Sequence, residues 1–537
     1  MNDESQLDKA KTSADSGPAE SDADSRFRRI VLLASVFVVG ACGLLYELVA
    51  GAAASYLMGN TVTQYSLVIG VFLASMGIGA FFTQWIRVRL LDYFLLIQLV
   101  IAILGGFSSL VLFATFAFFA DITAFVIAIT GCCGALAGME IPLVLRILKQ
   151  STSSLRVSVA QVLTLDYIGA LAASIAFPLV LIPLLGLVHA ALATGAFNAA
   201  VGLFGTFAFW NEITNKTVLL AFHVITWCCL LIGWIWAGQA MTLLENRLYP
   251  DEIVFAESTA YQRIIVTRRS ENNDIRLHLD GHLQFSSIDE YRYHETLVQP
   301  ALSLCEAPRK ILILGGGDGL AIRQVLRFDS VESIELVDID PRVVEIFRQQ
   351  EMLSRLNEGC LDHQKVSVIH EDAFSFLRKS KKNYDVIIAD LPDPSDVRIN
   401  KLYSETFYAM ALARLNQGGV FVTQATSPYY ARDAFWCINR TLNSAAEKIP
   451  TQRFQSIPYH VNVPSFGGEW GFAMVVSNPN ASLELLFPAD NRFLTRESFR
   501  TSRRFPPDMS ETETKINKLL DPVLVRYHTR GWSYFND

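Results

Sequence analysis

The chain has few charges for its length and no cysteine framework. Only 18% of its 537 residues are charged, whereas 51% are hydrophobic. Such a composition is too apolar for an ordinary soluble protein and indicates a membrane portion. The formal net charge of -7 provides no basic field and argues against nucleic acid as a partner. The eight cysteines include no C-x-x-C pair, so neither a dense disulfide scaffold nor a structural zinc site is predicted, and no other metal site is expected.

Long apolar runs dominate the first half of the chain. Residues 1–27 are rich in Ser, Asp, Glu and Ala and are predicted to form a disordered acidic tail. A transmembrane helical domain is predicted over 28–244, with stretches each long enough to cross about 30 Å of hydrocarbon. The seven stretches are 30–54, 63–85, 91–118, 122–148, 159–184, 187–209 and 218–237.

Three acids lie inside these apolar stretches, namely Glu47, Glu140 and Asp166. Acids within a membrane are costly and usually face a protein interior or a cavity. They would serve a path for a cation or polyamine, form hydrogen bonds between helices, or simply lie near the membrane interface. We favour the hydrogen bonds or the interface position, because the acids have neither a paired base nor a fixed spacing.

Short apolar runs in the second half each end in an acid or a glycine turn. Helical spacers separate the runs, a pattern typical of a parallel sheet of βα units. Ligands of such sheets bind outside the carboxyl ends of the strands. The acids expected at these ends are Asp318, Asp338, Asp372, Asp390 and Asp393. Together they predict an acid-lined crevice for a nucleoside-like ligand that carries positive charge.

These patterns predict a membrane α-helical bundle of about seven spans, followed by an α/β Rossmann-like domain of the methyltransferase type with a small N-terminal antiparallel β-domain. Alternating apolar and polar residues place the small β-hairpin domain at 249–300. The Rossmann-like catalytic domain is predicted at 301–480 and a C-terminal extension at 481–537. The extension contains a predicted short helix over 511–527 and is assigned no function.

The glycine-rich loop and the first acids suit a nucleoside. Gly315 and Gly317 follow a predicted strand, where glycine permits a tight turn and close approach of the backbone to a ligand. Asp338, about 20 residues further on, suits ribose hydroxyls, and Asp372 could accept from an adenine amino group. Any one of these acids could instead cap a helix, but five on successive strand ends favour a site.

The position of Asp318 distinguishes between two donors. Many methyltransferases that use S-adenosylmethionine carry an acid two residues before the first glycine, whereas Ile313 stands there in this chain. An acid inside the loop would repel the carboxylate of intact S-adenosylmethionine and attract the ammonium of its decarboxylated form. A methyltransferase nevertheless remains the alternative enzyme.

Asp390 and Asp393 suggest chemistry on an amine. A primary amine is protonated at neutral pH, because an alkyl ammonium titrates near the lysine reference of about 10.4. Paired carboxylates can bind a diamine dication and take the proton that must leave before attack. A sulfonium leaving group already carries positive charge, so the transfer requires a base and alignment.

At these residues the second half resembles the spermidine synthase, or polyamine aminopropyltransferase, family. The matching stretches are Ala256-Glu257-Ser258 with Tyr261-Gln262, Leu279 to Gln284, Asp289-Glu290 with Tyr293-His294-Glu295, Gly315 to Gly319, Val337 to Asp340, Tyr384 to Pro394, Leu402-Tyr403 with Phe407-Tyr408, and Gly418-Gly419-Val420. The apolar half, with Gly43-Leu44-Leu45-Tyr46-Glu47-Leu48, resembles the membrane-fused branch of that family.

The resemblance implies transfer of the aminopropyl group of decarboxylated S-adenosylmethionine, a co-substrate, to putrescine, giving spermidine and 5′-methylthioadenosine without a cofactor. By position, Asp390 matches the proton acceptor. The matches to polyamine contacts and to the lining of the same pocket are Asp393, Asp318, His294, Tyr293 and Gln284. The matches to nucleoside contacts are Gln262, Gly315, Gly317, Asp338, Asp372 and Ala373.

Some positions depart from the family pattern. The family usually has Glu where Asp338 stands and Gly where Ala373 stands. Its Pro-Thr-Tyr-Pro element appears here as Val463-Pro464-Ser465-Phe466, so the tyrosine that touches the acceptor amine is missing or displaced. A second alternative is therefore a membrane polyamine sensor or transporter with a degenerate catalytic domain.

Two observations about the side of the membrane oppose each other. Lys and Arg cluster before the first predicted span, between the second and third, and between the fourth and fifth, which places the N-terminus in the cytoplasm. Seven spans would then put the catalytic domain outside, whereas the implied donor is made in the cytoplasm and no disulfide pattern is present. We therefore predict a multi-pass protein of the inner membrane with a cytoplasmic catalytic domain, and a re-entrant or split segment within 159–209.

The predicted partners are small molecules and lipid. They are a diamine, a sulfonium nucleoside and the lipid bilayer, without nucleic acid. A homodimer is compatible with the sequence, which does not fix the oligomeric state.

Overall fold

A computed structural model of the protein describes residues 22–58, 61–119, 121–151, 155–259, 261–478, 481–483, 485 and 487–533. The chain divides into two compact units, Met1–Leu248 and Tyr249–Asp537. Most of the predicted disordered tail, residues 1–21, lies outside the described residues. Residues 22–27, the remainder of that tail, are helical and begin the first helix.

The first unit is a bundle of helices. They are α1 (Asp22–Met58), α2 (Thr61–Phe82), α3 (Leu90–Gly106), α4 (Ser108–Phe116), α5 (Thr123–Ser151), α6 (Leu155–Ala176), α7 (Ile182–Ala208) and α8 (Lys216–Leu248). Within the described residues, six stretches are long and apolar enough to cross a membrane, and the fifth of them is Arg156–Ala208. That stretch joins the fifth and sixth predicted spans.

α6 runs in the same direction as α1. Arg29 donates a hydrogen bond of 2.5 Å to Gln161, and two turns further along both helices Phe37 lies against Gly169. Short connections link α1 to α2 and α2 to α3, so each of these helices reverses the direction of the one before it. α3 therefore runs in the same direction as α1.

α7 runs in the opposite direction. Gly195 lies against Ala102 and Gly205 against Leu95, which makes α7 antiparallel to α3. The chain reverses at Gly186, whose φ of 67° and ψ of -179° are accessible to glycine. The described residues of 159–209 therefore form two oppositely directed helices that meet at Gly186, and the re-entrant or split segment predicted there stays a prediction about the membrane.

The two ends of the bundle differ in charge. One end holds the start of α1 and the α7–α8 connection, which are joined by an ion pair of 3.0 Å between Arg28 and Glu212. The other end holds the end of α8, where Arg247 lies 4.9 Å from the ring of Phe118. The basic residues at the first end are Arg26, Arg28, Arg29, Arg87, Arg89, Arg146, Lys149, Arg156 and Lys216, whereas the segments 57–62, 117–123, 182–187 and 243–248 contain only Arg247.

Two of the three acids predicted inside the bundle, Glu140 and Asp166, contact neighbouring helices. Glu140 on α5 is buried and accepts a hydrogen bond of 2.8 Å from Gln98 on α3. Asp166 on α6 lies against Gly40 of α1. These contacts agree with hydrogen bonding and close packing between helices, one of the interpretations favoured from the sequence.

The second unit begins with a small antiparallel sheet in the order β1-β2-β3-β4. Its strands are β1 (Glu252–Ser258), β2 (Arg263–Arg269), β3 (Asp274–Leu279) and β4 (His282–Ser286). The predicted boundary at 300 falls inside the next helix, α9 (Glu290–Leu304). α9 packs on β9 and β10 of the large sheet described next, so the small domain ends near Ser286.

A seven-stranded sheet forms the core of the second unit, in the order β10-β11-β9-β8-β5-β6-β7. Its strands are β5 (Lys310–Gly315), β6 (Ser333–Asp338), β7 (Val366–His370), β8 (Tyr384–Asp390), β9 (Leu415–Gln424), β10 (Gln455–Val463) and β11 (Gly468–Val476). The pairs among β5 to β9 are parallel, and β11 is antiparallel to β9 and β10. This is the Rossmann-like arrangement that the apolar runs predicted.

Both faces of this sheet are covered, which explains the continuous apolar runs. Ile311 and Ile313 of β5 belong to one buried cluster, and Leu312 and Leu314 to another on the opposite face. The covering helices are α10 (Leu320–Val325), α11 (Pro341–Gln349), α12 (Glu351–Leu356), α13 (Ala373–Lys379), α14 (Val397–Asn400), α15 (Glu405–Leu412), α16 (Arg432–Glu447), α17 (Arg496–Ser502) and α18 (Val523–Ser533).

The helix predicted over 511–527 was placed too early. The observed helix, α18, begins at Val523, directly after Pro522. Proline disfavours helical backbone in the residue before it, which explains why the helix cannot extend back through this point.

Candidate active site

The strand order reverses between β5 and β8, and sheets of this kind bind ligands in a crevice outside the carboxyl ends of the strands at such a reversal. Gly315 ends β5 with a φ of 82°, and a Cβ there would lie 2.0 Å from the backbone oxygen of Asp390. A Cβ on Gly316 would lie 2.9 Å from the Asp390 carboxylate. Glycine is therefore required for the loop to lie beside Asp390, as its position after a strand predicted.

Asp390 is the last residue of β8, and an aromatic hydroxyl holds its carboxylate. Tyr293 on α9 is buried, and its hydroxyl donates a 2.8 Å hydrogen bond to Asp390 Oδ1. Desolvation raises the pKa of the Asp390 carboxyl, although the charge of His294 and the bond from Tyr293 oppose the rise. A carboxylate with a raised pKa is a better proton acceptor than a solvated one.

A buried histidine stands beside this acid. His294 is 2% exposed, and its Nδ1 lies 2.9 Å from Glu290 Oε2, which also pairs with Arg323. Burial opposes protonation of the imidazole, but the Glu290 carboxylate, with help from Asp318 and Asp390, raises the pKa of His294. When it is protonated, the His294 ring supplies one positive charge among several acids.

Asp318 is the second acid that this histidine influences. Desolvation raises the pKa of Asp318 to about 6, against the lowering effect of His294. Its carboxylate accepts from the backbone N–H of Leu320 at 2.9 Å. Asn357 fixes the loop by donating to the Asp318 carbonyl at 2.8 Å. Asp318, His294, Tyr293 and Asp390 thus form one cluster, and the roles predicted for them in binding and catalysis stay a prediction.

Several residues predicted to bind the nucleoside form hydrogen bonds within the protein. Asp338 at the end of β6 accepts from Gly317 N at 3.0 Å and from Asp340 N at 2.9 Å, and desolvation raises its pKa to about 6. Gln262 donates to Asp340 Oδ2 at 3.0 Å. Each carboxylate oxygen can accept a second hydrogen bond, so contacts of Asp338 and Gln262 with a nucleoside stay a prediction.

Asp372 caps a helix in addition to any ligand role. Its Oδ1 accepts from Ser375 N at 3.0 Å and its Oδ2 pairs with Lys401 at 2.7 Å. Desolvation raises the carboxyl pKa, but the bonds from Lys401 and Ser375 outweigh it and lower that pKa. Ala373, the first residue of α13, is buried. The part of Asp372 and Ala373 in nucleoside binding stays a prediction.

Asp393 lies in a polar pocket beyond β8. Its carboxylate accepts from Gln424 at 3.1 Å and from Thr426 at 3.3 Å, and lies 3.1 Å from Nε2 of His528. These three partners come from β9, the loop after it and α18. No local sequence signal marked them, because they follow Asp393 by at least 30 positions in sequence.

The small domain contributes Gln284. This residue occupies the extra position of a bulge in β4, where the pairing with β3 shifts register. A bulge re-aims the side chain that it carries, and here Gln284 donates to the His282 carbonyl at 3.1 Å. The contact of Gln284 with the acceptor amine stays a prediction.

The segment Val463-Pro464-Ser465-Phe466, which departs from the family pattern, lies against Tyr293. Pro464–Phe466 is a single 3₁₀ turn, and the Phe466 ring lies 5.7 Å from that of Tyr293. Ser465 N donates to Asp289 at 2.7 Å. An apolar ring therefore lies against Tyr293 in this segment.

Comparison with known proteins gives the family. Residues 290–484 match the model of the spermine/spermidine synthase domain. The chain is 43% identical to the polyamine aminopropyltransferase of Leptospira interrogans over 94% of this chain and 99% of that protein. The chain belongs to the polyamine aminopropyltransferase family. The expected family is confirmed, and the protein is an aminopropyltransferase.

A further relative matches along nearly its whole length, and a solved structure matches about half of this chain. Polyamine aminopropyltransferase 1 of Streptomyces coelicolor is 36% identical and covers 98% of both chains, so this family member matches the apolar half as well. The crystal structure of spermidine synthase from Thermotoga maritima is 26% identical, covers 48% of this chain and 85% of that one, and gives a TM-score of 0.42.

Proposed function

We propose that the protein transfers the aminopropyl group of decarboxylated S-adenosylmethionine to putrescine, forming spermidine and 5′-methylthioadenosine. The observation that carries this proposal is the cluster of Asp390, Tyr293, His294 and Asp318 at the carboxyl ends of β5 and β8. It combines a proton acceptor of raised pKa with a second acid, in the crevice where such sheets bind ligands.

Asp390 acts as the base in the proposed reaction. The attacking primary ammonium gives one proton to the Asp390 carboxylate, and its nitrogen lone pair then attacks the methylene carbon bonded to the sulfonium. The carbon–sulfur bond breaks with its electron pair passing to sulfur, which leaves as a neutral thioether. The bond from Tyr293 holds Asp390 in one orientation during this transfer.

The remaining acids bind the two cationic substrates. Asp318 attracts the ammonium of the aminopropyl group, and Asp393 binds the second ammonium of the diamine. Gln262, Asp338 and Asp372, with the glycine loop, hold the nucleoside. Alignment of the two substrates supplies much of the rate enhancement expected of such a site.

The bundle is proposed to anchor the enzyme in a membrane. The six apolar stretches and the reversal of Arg156–Ala208 at Gly186 support a proposal of seven crossings. Each of the seven helical segments obtained in this way is long enough to cross about 30 Å of hydrocarbon.

A product assay tests the proposal. Purified full-length protein is incubated with decarboxylated or intact S-adenosylmethionine and diamines of three to five carbons, and the products are identified by mass spectrometry. We expect spermidine and 5′-methylthioadenosine from the decarboxylated donor only. Because Ser465 stands in place of the family tyrosine, we expect the KM values of these diamines to differ by less than about ten-fold.

Two outcomes would reject the proposal. Methylated product from the intact donor would make the protein a methyltransferase. Absence of product from both donors, combined with diamine binding, would favour a polyamine sensor or transporter. A steep, exclusive preference for putrescine would leave the reaction in place but contradict the expected breadth.

A further inference from the structure

The C-terminal helix α18 packs closely on the catalytic domain. Val523 and Leu524 are buried, and Gly531 brings the helix backbone against the segment before α16. A Cβ on Gly531 would lie 2.6 Å from Ala431 Cα and 2.7 Å from the Tyr430 carbonyl oxygen. Docking of this end of the helix therefore depends on a glycine.

One face of α18 reaches the second acid of the crevice. His528 is 7% exposed, and its Nε2 lies 3.1 Å from Asp393 Oδ2. Thr426 donates to the same oxygen at 3.3 Å and Gln424 to the other at 3.1 Å. The carboxylate is thereby fixed from three directions, while lone pairs remain for a ligand.

Aromatic rings surround this end of the crevice. Trp532, one turn after His528, stacks on Tyr430 with ring centroids 5.0 Å apart and an interplanar angle of 19°. The ring of Trp470 lies 6.4 Å from that of Trp532. Within the described residues, the indole nitrogens of both tryptophans are buried without a hydrogen-bond partner. Aromatic faces attract alkyl ammonium groups, and buried N–H groups without a partner suit a site that a ligand completes.

We infer that α18 forms part of the site for the acceptor amine, with His528 as a positioning residue that orients Asp393 toward the distal ammonium of an alkyl diamine. This inference rests on the proposed function. A neutral imidazole with its proton on Nε2 donates to Asp393 without cancelling the negative charge that attracts the dication. Trp532 lines the same end of the site.

The experiment separates an effect on diamine binding from an effect on the stability of the fold. Full-length wild-type protein, His528→Ala, His528→Gln and Gly531→Ala are compared for kcat, for the KM values of putrescine and of the donor, and for Tm. Arg526→Gln is the matched control, because Arg526 lies on α18 and its ion pair with Asp521 is exposed on both sides. The glutamine variant retains an N–H donor at a reach similar to Nε2.

We expect His528→Ala and Gly531→Ala to raise the diamine KM by about ten-fold or more, with the donor KM unchanged. His528→Gln should recover most of the loss, and Arg526→Gln should behave as wild type. If His528→Ala fails to fold, His528→Asn replaces it, because the shorter amide cannot reach Asp393.

Two results would overturn the inference alone: an unchanged diamine KM in His528→Ala or His528→Asn, or a rise of the donor KM in parallel with the diamine KM. Wild-type protein that makes no product with any diamine would instead overturn the proposed function and this inference with it. The two failures are therefore distinguishable in the same set of assays.

Discussion

At the residue scale, the acids of the crevice differ in environment and therefore in what each can do. Desolvation raises the pKa of Asp390 and Asp318. Asp372, in contrast, has a lowered pKa, because Lys401 and Ser375 outweigh the effect of desolvation. Groups whose environments push their pKa values apart take different chemical roles. Asp390 suits proton acceptance, whereas Asp372 suits a permanently charged or capping role.

The first prediction concerns Asp390→Asn. We expect turnover to fall by roughly 10²- to 10⁴-fold, because an amide cannot accept the ammonium proton. The affinity for 5′-methylthioadenosine should change little, since in the proposed reaction the Asp390 side chain meets the amine and not the nucleoside. Product formation and 5′-methylthioadenosine binding are measured on the same preparation.

The matched control for this prediction is Asp362→Asn. Asp362 has a side chain that is 71% exposed, and its partner is the partly exposed Arg348. This control should keep wild-type turnover. Wild-type turnover in Asp390→Asn as well would exclude Asp390 as the base.

The second prediction concerns Asp318→Asn. Loss of the charge removes both the attraction to the donor ammonium and the repulsion of the carboxylate in intact S-adenosylmethionine. We expect the affinity ratio of the decarboxylated to the intact donor to fall by about ten-fold, measured by competition binding. An unchanged ratio would show that Asp318 does not contact that end of the donor.

The same residue predicts a dependence on pH. The pKa of Asp318 is raised to about 6, so the carboxyl takes up a proton as pH falls below that value and loses its attraction for the donor. The donor KM of the wild-type protein should therefore rise below about pH 6. In Asp318→Asn this rise should be smaller, and identical pH profiles of the two proteins would contradict the assignment.

The sequence marked the acids of the candidate site better than the partners of Asp393. Asp338 and Asp390 each end an apolar run, and Asp318 lies in the glycine turn after another. His528 was missed because it lies 135 positions from Asp393 and belongs to a helix that the sequence placed too early. Only tertiary folding brings such a side chain to the crevice.

At the element scale, the β5–loop–α10 unit shows how backbone geometry builds the site. Gly315 and Gly316 have φ values of 82° and 69°, and both glycines lie against Asp390. The strand itself was predictable, because a strand covered on both faces reads as a continuous apolar run. The left-handed turn was predictable from its glycines.

The third prediction compares Gly315→Ala with Gly418→Ala. Both glycines have positive φ, 82° and 77°, so both variants incur backbone strain of about 1 kcal/mol. Only at Gly315 does the new Cβ collide with another backbone atom, 2.0 Å from the Asp390 carbonyl oxygen, whereas Gly418 has nothing within 4 Å.

We therefore expect Gly315→Ala to lose about 1–3 kcal/mol more of the free energy of unfolding than Gly418→Ala, together with most activity. Urea unfolding of the two variants measures the difference. Equal destabilisation would mean that the loop does not lie against Asp390 as described.

At the scale of the whole molecule, helix direction decides where the chain leaves the bundle. α6 is parallel to α1 and α7 is antiparallel to α3, so the chain reverses direction at Gly186. α1 therefore begins at the end that carries nine Lys and Arg residues, and α8 finishes at the other end, which carries Arg247. The sequence located the turn correctly, but only contacts between helices show that the direction reverses there.

The last prediction is the side of the membrane. The positive-inside rule places the basic end of the bundle in the cytoplasm, so an odd number of crossings puts the residues after α8 on the opposite side. This differs from the cytoplasmic catalytic domain expected from the source of the donor, which requires a re-entrant or split segment to make the number of crossings even. We expect a reporter that is active only outside the cytoplasm to be active when fused after Asn246 and at the C-terminus.

The matched control is a fusion after Glu212, which pairs with Arg28 at the basic end and should be active only with a cytoplasmic reporter. Cytoplasmic signals at all three sites would mean that the bundle crosses the membrane an even number of times. External signals at Asn246 and the C-terminus would require both substrates to reach the far side of the membrane, which makes supply of the decarboxylated donor by export a condition for the enzyme's activity.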